Sequence, residues 1–98
     1  MIRLPRLSVD PTAFPAIETA LEEPDGLLAF GGDLGSERLL AAYAQGIFPW
    51  YSEGQPILWW SPDPRMVIAT AAVHVPRRLR RWLKSCNWTI RTDHAFAE

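Results

Sequence analysis

Cysteine occurs once in the 98 residues, at Cys86. One thiol builds neither an intrachain disulfide nor a cysteine-based metal site, and a reducing, cytoplasmic setting is expected. The two histidines, His74 and His94, stand without metal-ligand spacing, so no metal is expected. No stretch approaches the roughly 20 apolar residues of a membrane span, and the opening MIRLPRLSVDP lacks the apolar run of a secretory signal. A soluble protein with no membrane partner is expected. Repeats and low-complexity segments are absent. The glycines of Gly31-Gly32-Asp33-Leu34-Gly35 are followed by no Gly-Lys-Ser/Thr and form no G-x-G-x-x-G, which excludes both phosphate-loop fingerprints and favours a tight turn. Ser61, Asp63 and His74 lie in no nucleophile-elbow context, so a hydrolase triad is not read from them.

Aromatic residues and charge asymmetry are what the chain does have. Five tryptophans in 98 residues give a small core large apolar pieces and also supply flat faces for rings or bases. The net charge of −1 argues against a wholly basic nucleic-acid binder. That figure averages two unlike parts. Met1 to Pro64 holds nine acids and three bases, a balance of −6; Arg65 to Glu98 holds seven bases and two acids, a balance of +5. The asymmetry is either chance in a short chain or the mark of a second part that faces a polyanion.

The pattern predicts an α+β chain. Ala16 to Glu23 reads as a short helix ended by the turn Pro24-Asp25-Gly26. Leu27 to Phe30 reads as a strand. Ser36 to Gln45 reads as a helix capped by Ser36, with Leu39, Leu40, Tyr43 and Ala44 as its apolar face and Gly46 as its left-handed stop. Ile47 to Tyr51 reads as an aromatic loop, Ser52 to Gln55 as a turn, and Ile57 to Trp60 as a strand. The double-proline segment Ser61-Pro62-Asp63-Pro64 is the candidate boundary between residues 1–63 and 64–98. Beyond it, Met66 to Thr70 and Trp88 to Thr92 read as strands on either side of a helix from Pro76 to Ser85. Asp93 reads as the cap of a further helix. The chain stops about one turn into it, and an isolated turn is unstable, so the sequence reads as cut short.

Two constellations carry possible chemistry. Arg77, Arg80, Arg81 and Lys84 fall at i, i+3, i+4 and i+7 of the 76–85 helix, with Arg78 on the flank and Leu79, Trp82, Leu83 and Cys86 opposite. The stripe is either a solvated helix face or a surface for phosphates, giving affinity without base specificity. Tyr43, Phe48 and Trp50 bracket the helix stop. They either complete a small core or offer a wall on which a nucleobase stacks.

A long stretch resembles a known family. Ala20-Leu21-Glu22-Glu23-Pro24-Asp25-Gly26-Leu27-Leu28-Ala29-Phe30-Gly31-Gly32-Asp33-Leu34 is similar to the N-terminal signature of the leucyl/phenylalanyl-tRNA–protein transferases. So are Gly46-Ile47-Phe48-Pro49-Trp50 and Pro56-Ile57-Leu58-Trp59-Trp60-Ser61-Pro62-Asp63-Pro64-Arg65. The resemblance runs from about Phe14 to Ile68 and continues more weakly to the C-terminus. It implies an aminoacyltransferase that moves Leu or Phe from aminoacyl-tRNA to the N-terminal Arg or Lys of proteins, marking them for N-degron proteolysis. It implies a small N-terminal domain, residues 1–63, followed by the β-α-β start of a GNAT-like domain, residues 64–98. Tyr43, Phe48 and Trp50 match family positions at the pocket for the aminoacyl-adenosine end. Arg77, Arg81 and Lys84 match a tRNA-contacting helix, to which Arg78 and Arg80 are added on physical grounds. Relatives carry another base near Ser85 that is missing here. The catalytic acid and amide fall beyond Glu98, so no catalytic residue is assigned and the chain alone is expected to be inactive. The ester of aminoacyl-tRNA is already activated, so no cofactor is expected. The alternatives are a non-enzymatic RNA-binding module and a Trp/Pro-rich protein-interaction domain.

Overall fold

The computed structural model describes residues 3–97. The chain divides into two units between Arg65 and Met66. The first is a small α+β unit built on a three-stranded antiparallel sheet. Its strands are β1 (Leu27–Phe30), β2 (Phe48–Pro49) and β3 (Leu58–Trp60), in the order β1-β3-β2. Helix α1 (Ser36–Ala44) connects β1 to β2. β3 is central, pairing Ala29 with Trp59 on one side and Pro49 with Trp59 on the other. β2 is an edge strand, where a proline without an N–H is tolerated. The other edge, along β1, is covered by the N-terminal segment: Leu7 N–H donates to the Phe30 carbonyl at 2.9 Å and Phe30 N–H to that of Pro5 at 3.1 Å.

Trp59 is fully buried at the centre. Its indole N–H donates to the Gly31 carbonyl at 2.8 Å, which removes the cost of sinking a polar tip into an apolar core. Phe14 meets it edge-on, with ring centroids 5.3 Å apart. Leu7, Leu28, Ala29, Ala42 and Ile47 complete the core, with Phe14, Ala20, Leu39 and Ile57 packed at its margin. Gly26 has φ +86°, and a Cβ there would overlap the backbone of Pro62. The turn before β1 and the segment after β3 can close together only over glycine.

β1, the core of β3, the turn at 52–55 and the stop at Gly46 follow the sequence reading. Gly46 has φ +75°. Its N–H donates to the Tyr43 carbonyl and that of Ile47 to Ala42, the paired bonds of a Schellman ending. Several expectations are corrected. Between Pro15 and Pro24 only a 3-10 turn forms, Ile17–Thr19, because the prolines leave no room for more. The cap of α1 is Gly35, not Ser36. No side-chain oxygen caps the helix; Asp33 Oδ1 accepts the N–H of Gly35 itself, at 2.8 Å. The 47–51 loop is partly strand, because Phe48 and Pro49 find β3 as a partner.

The largest correction on α1 is its buried face. Leu40 and Tyr43 face solvent, at 74% and 64% exposure, while Ala42 and Arg38 are buried. Arg38 is 1% exposed. Its Nη2 donates to the Ser8 carbonyl at 2.9 Å and its Nε to Asp33 Oδ2 at 3.3 Å. Those partners offset part of the cost of burying a guanidinium whose Nη1 finds no partner among the described residues, and its position turns the helix away from the face that apolar spacing favours. Gly32, at φ +76°, leaves room for it: a Cβ there would sit 3.1 Å from Arg38 Cζ and from Leu7 Cδ1. Gly31 and Gly32 are both left-handed residues, and the second leaves room for Arg38, where a tight turn was expected.

The second unit contains a 3-10 turn, Thr70–Ala72, and helix α2 (Arg77–Ser85). The expected β-α-β unit is not formed. Residues 66–70 and 88–92 are not strands. Met66, Val67 and Ile68 are 100%, 81% and 76% exposed. A lone extended segment leaves its N–H and C=O groups without a ladder, and two strands alone are marginal in water. The helix expected after Asp93 is replaced by bends, with Asp93 itself at φ 55°; Glu98 lies outside the described residues. Trp82 is half-exposed and meets Trp88 edge-on, with ring centroids 5.1 Å apart.

Two outcomes test this packing. Trp59→Ala should destabilise the chain by about 3–5 kcal/mol, whereas Trp50→Ala, at an exposed site, should change stability by no more than about 0.5 kcal/mol; urea unfolding compares them. The Gly35 N–H, and then the Arg38 guanidinium, hold the Asp33 carboxyl below its usual range. A depressed carboxylate stabilises above its unfolded pKa of about 3.9 and loses that contribution as pH falls through the lower folded value. Asp33→Asn should therefore lower the thermal midpoint at pH 7, and the gap from wild type should close in the acid range. An equal gap at pH 7 and pH 2 contradicts the assignment.

Candidate functional site

Pairing and alternation sort the aromatic residues of the first unit. Phe48 pairs with Trp60 and Pro49 with Trp59, and successive side chains along a strand alternate between faces. Pro49 and Trp59 face the core. Phe48, Trp60 and Trp50, two residues beyond Phe48, belong to the opposite face. Phe48 is half-buried there and Trp50 is 73% exposed. Tyr43 lies in the last turn of α1, and the Schellman ending fixes the chain path from it to Phe48. The core alternative thus fails for Trp50 and Tyr43, which stand in solvent, and holds in part for Phe48.

The exposed indole of Trp50 sits on a constrained backbone. Its N–H donates to the Leu58 carbonyl at 3.0 Å, and its carbonyl accepts from the Trp60 indole N–H at 2.7 Å. Arg65 holds the preceding segment. Its Nη2 donates to the Gly46 carbonyl and, at 3.2 Å, to Ser61 Oγ; its Nε donates to the Pro62 carbonyl at 3.0 Å. The guanidinium lies 5.4 Å from the Phe48 ring centroid, a cation–π distance. The hydroxyl of Ser61 is thus engaged by a guanidinium and has no imidazole as partner. Sequence reasoning did not single out Trp60 or Arg65. Strand parity separates Trp60 from Trp59, but nothing in the pattern announces Arg65.

Arg77, Arg78, Arg80, Arg81 and Lys84 are all exposed on α2. Among the described residues no carboxylate pairs with any of them, the ion pair present being that of Arg38 with Asp33. Leu79, Trp82 and Leu83 are 45%, 44% and 43% exposed, so the apolar stripe is only half covered within its unit. Cys86 lies just past the helix as its C-cap, with its thiol directed to the Leu83 carbonyl at 3.4 Å. Five cations in eight residues thus stand exposed without an ion-pair partner among the described residues. By contrast, a shallow recess in the first unit is lined by Glu18, Glu22, Asp25 and Asp63, the wrong sign for nucleic acid. Among the described residues no three His, Cys, Asp or Glu side chains gather as a metal site, and no helix is long and apolar enough to cross a membrane.

Comparison with known proteins converges on one family. The model described as the leucyl/phenylalanyl-tRNA protein transferase N-terminal domain matches residues 32–63, from Gly32 beside Arg38 to the segment after β3. A leucyl/phenylalanyl-tRNA–protein transferase of Xanthomonas campestris pv. campestris (strain B100) is 62% identical over 93 residues, covering 94% of this chain and 37% of the relative. That of Xanthomonas euvesicatoria pv. vesicatoria (strain 85-10) is 64% identical over 85 residues, 87% of this chain and 34% of the relative. That of Xylella fastidiosa (strain 9a5c) is 60% identical over 86 residues, 88% and 35%. The chain thus spans little more than a third of the length of these relatives, and within that span it belongs to the leucyl/phenylalanyl-tRNA–protein transferase family.

Proposed function

We propose that this chain is the tRNA-end-binding part of an aminoacyltransferase that moves Leu or Phe from aminoacyl-tRNA onto the N-terminal Arg or Lys of a protein, in the cytoplasm, as the marking step of N-degron proteolysis. The observation that carries the reading is Trp50, an indole 73% exposed at the end of a strand in a family named for tRNA-dependent transfer. In this reading Trp50 stacks on the terminal adenosine, with Phe48 and Tyr43 beside it. In this reading the domain boundary at residues 63–64 lies two residues before the division between the compact units. The part from 64 onward opens a GNAT-like acyltransferase domain whose helix α2 presents Arg77, Arg78, Arg80, Arg81 and Lys84 to the tRNA backbone.

The chemistry sets what remains to be supplied. The neutral amine attacks the ester carbonyl carbon, a C–N bond forms, the bond to the ribose oxygen breaks, and the amine proton ends on that oxygen. Such a step needs positioning, a deprotonated amine and a stabilised oxyanion. The ester is already activated, so neither ATP nor a metal enters. The residues described here position adenosine and phosphate. The amine-orienting and oxyanion-stabilising groups belong to residues outside these 98, and the chain by itself is inactive in transfer.

Two measurements test the reading. Trp50→Ala should weaken binding of an aminoacyl-adenosine amide by about 1–3 kcal/mol, and Trp50→Phe should retain part of the affinity; equal affinity of wild type and Trp50→Ala sinks the stacking role. On α2, Arg81→Ala and Lys84→Ala should each reduce the salt slope of tRNA binding by roughly one unit while leaving the adenosine amide, which has no backbone to grip, unaffected. A wild-type slope in both variants would return the stripe to the solvated-face reading.

A further inference from the structure

We infer that Trp60 and Arg65 are positioning residues that hold the 46–50 segment, and with it Trp50, in one geometry before any ligand arrives. The inference rests on the reading of Trp50 as the adenosine platform. An exposed tryptophan on a free loop would sample many orientations, and ordering it on binding would subtract from affinity. Here the order is already present. Both backbone polar groups of Trp50 are bonded, the N–H to the Leu58 carbonyl and the C=O to the Trp60 indole at 2.7 Å. Ordinary strand pairing accounts for the first bond. The second is made by a side chain in the central strand, and a phenylalanine there would fill similar space without making it.

Arg65 acts at the other end of the segment. One guanidinium joins the Gly46 carbonyl, Ser61 Oγ and the Pro62 carbonyl while lying over the Phe48 ring. It ties the end of α1 to the chain leaving β3. A lysine keeps the charge, but its single ammonium cannot reproduce a planar fork reaching three acceptors. Phe48 is gripped beneath the guanidinium, Pro49 cannot rotate about φ, and Trp50 is bonded on both sides. The only freedom left at the platform is the indole's own two torsions.

The test uses the full chain labelled with nitrogen-15, with the Trp50 indole signal assigned by its loss in Trp50→Ala. A hydrolysis-resistant 3′-phenylalanylamido-adenosine is the probe. In Trp60→Phe and in Arg65→Lys the heteronuclear NOE of the Trp50 indole should fall in the free protein. The dissociation constant for the probe should rise about three- to ten-fold while the Trp59 indole shift, a reporter of the core, stays in place. The two variants act at different points, so misfolding of one leaves the other as the test. An unchanged Trp50 NOE in the folded variants overturns the inference. So does a loosened indole with undiminished probe affinity when Trp50→Ala has lost it. If the indole loosens but wild type and Trp50→Ala bind the probe alike, the positioning holds and the adenosine reading is what fails.

Discussion

The first unit depends on one buried tryptophan with a satisfied polar tip. Trp59 is the largest fully buried side chain, at the centre of a small three-stranded sheet, and its indole N–H reaches the Gly31 carbonyl. Gly31 N–H in turn donates to the Ile57 carbonyl at 2.7 Å. The backbone of Gly31 is thus bonded twice, its carbonyl to the Trp59 side chain and its N–H to the residue just before β3. Those two hydrogen bonds sit where β1 ends and the chain begins its approach to α1. With the register of β3 held there, its neighbour Trp60 must face away from the core, toward the segment that carries Phe48 and Trp50.

Charge is handled in opposite ways in the two units. In the first, Arg38 is taken into the interior with a carbonyl and a carboxylate to receive it, and Gly32 is left without a side chain to make the space. One cation helps organise the unit from within. In the second, five cations stand in solvent on α2 without carboxylate partners among the described residues. Exposed like charges repel, and in water that repulsion is weak and screened. The helix can therefore form while its basic face remains available to a polyanion. A guanidinium deep in a core can do no such thing.

Both kinds of aromatic surface are also present. Trp59 and Phe14 are used up by packing. Trp50 and Tyr43 are left in solvent, and Trp82 and Leu79 on α2 are only half covered. For Trp50 the exposure coincides with a constrained backbone, which suits a binding platform. For α2 it reflects the lack of a sheet, because residues 66–70 and 88–92 have no strands to pair with in the described residues.

Much of this was legible along the chain. Glycine at 26 and 46, proline at 24, 62 and 64, and the short apolar runs at 27–30 and 57–60 mark turns, a helix stop and strands, because those preferences arise within a few residues. The 77–84 stripe was legible because helical spacing alone places four cations on one face. The family was legible because GIFPW and ILWWSPDPR are long and particular. Contacts between distant residues were not legible. Apolar spacing on α1 pointed to Leu40 and Tyr43, but the buried partner is Arg38, whose acceptors come from Ser8 and Asp33. Nor was it legible that Gly35, its N–H bonded to Asp33, stands at the cap and Ser36 inside the helix. Strand propensity at 66–70 could not produce a strand without a neighbour. Local preference, decided by sterics and periodicity, belonged to the sequence. Which arginine is buried, and which of two adjacent tryptophans faces solvent chemistry, waited on register and on hydrogen-bond partners that only the folded chain brings together.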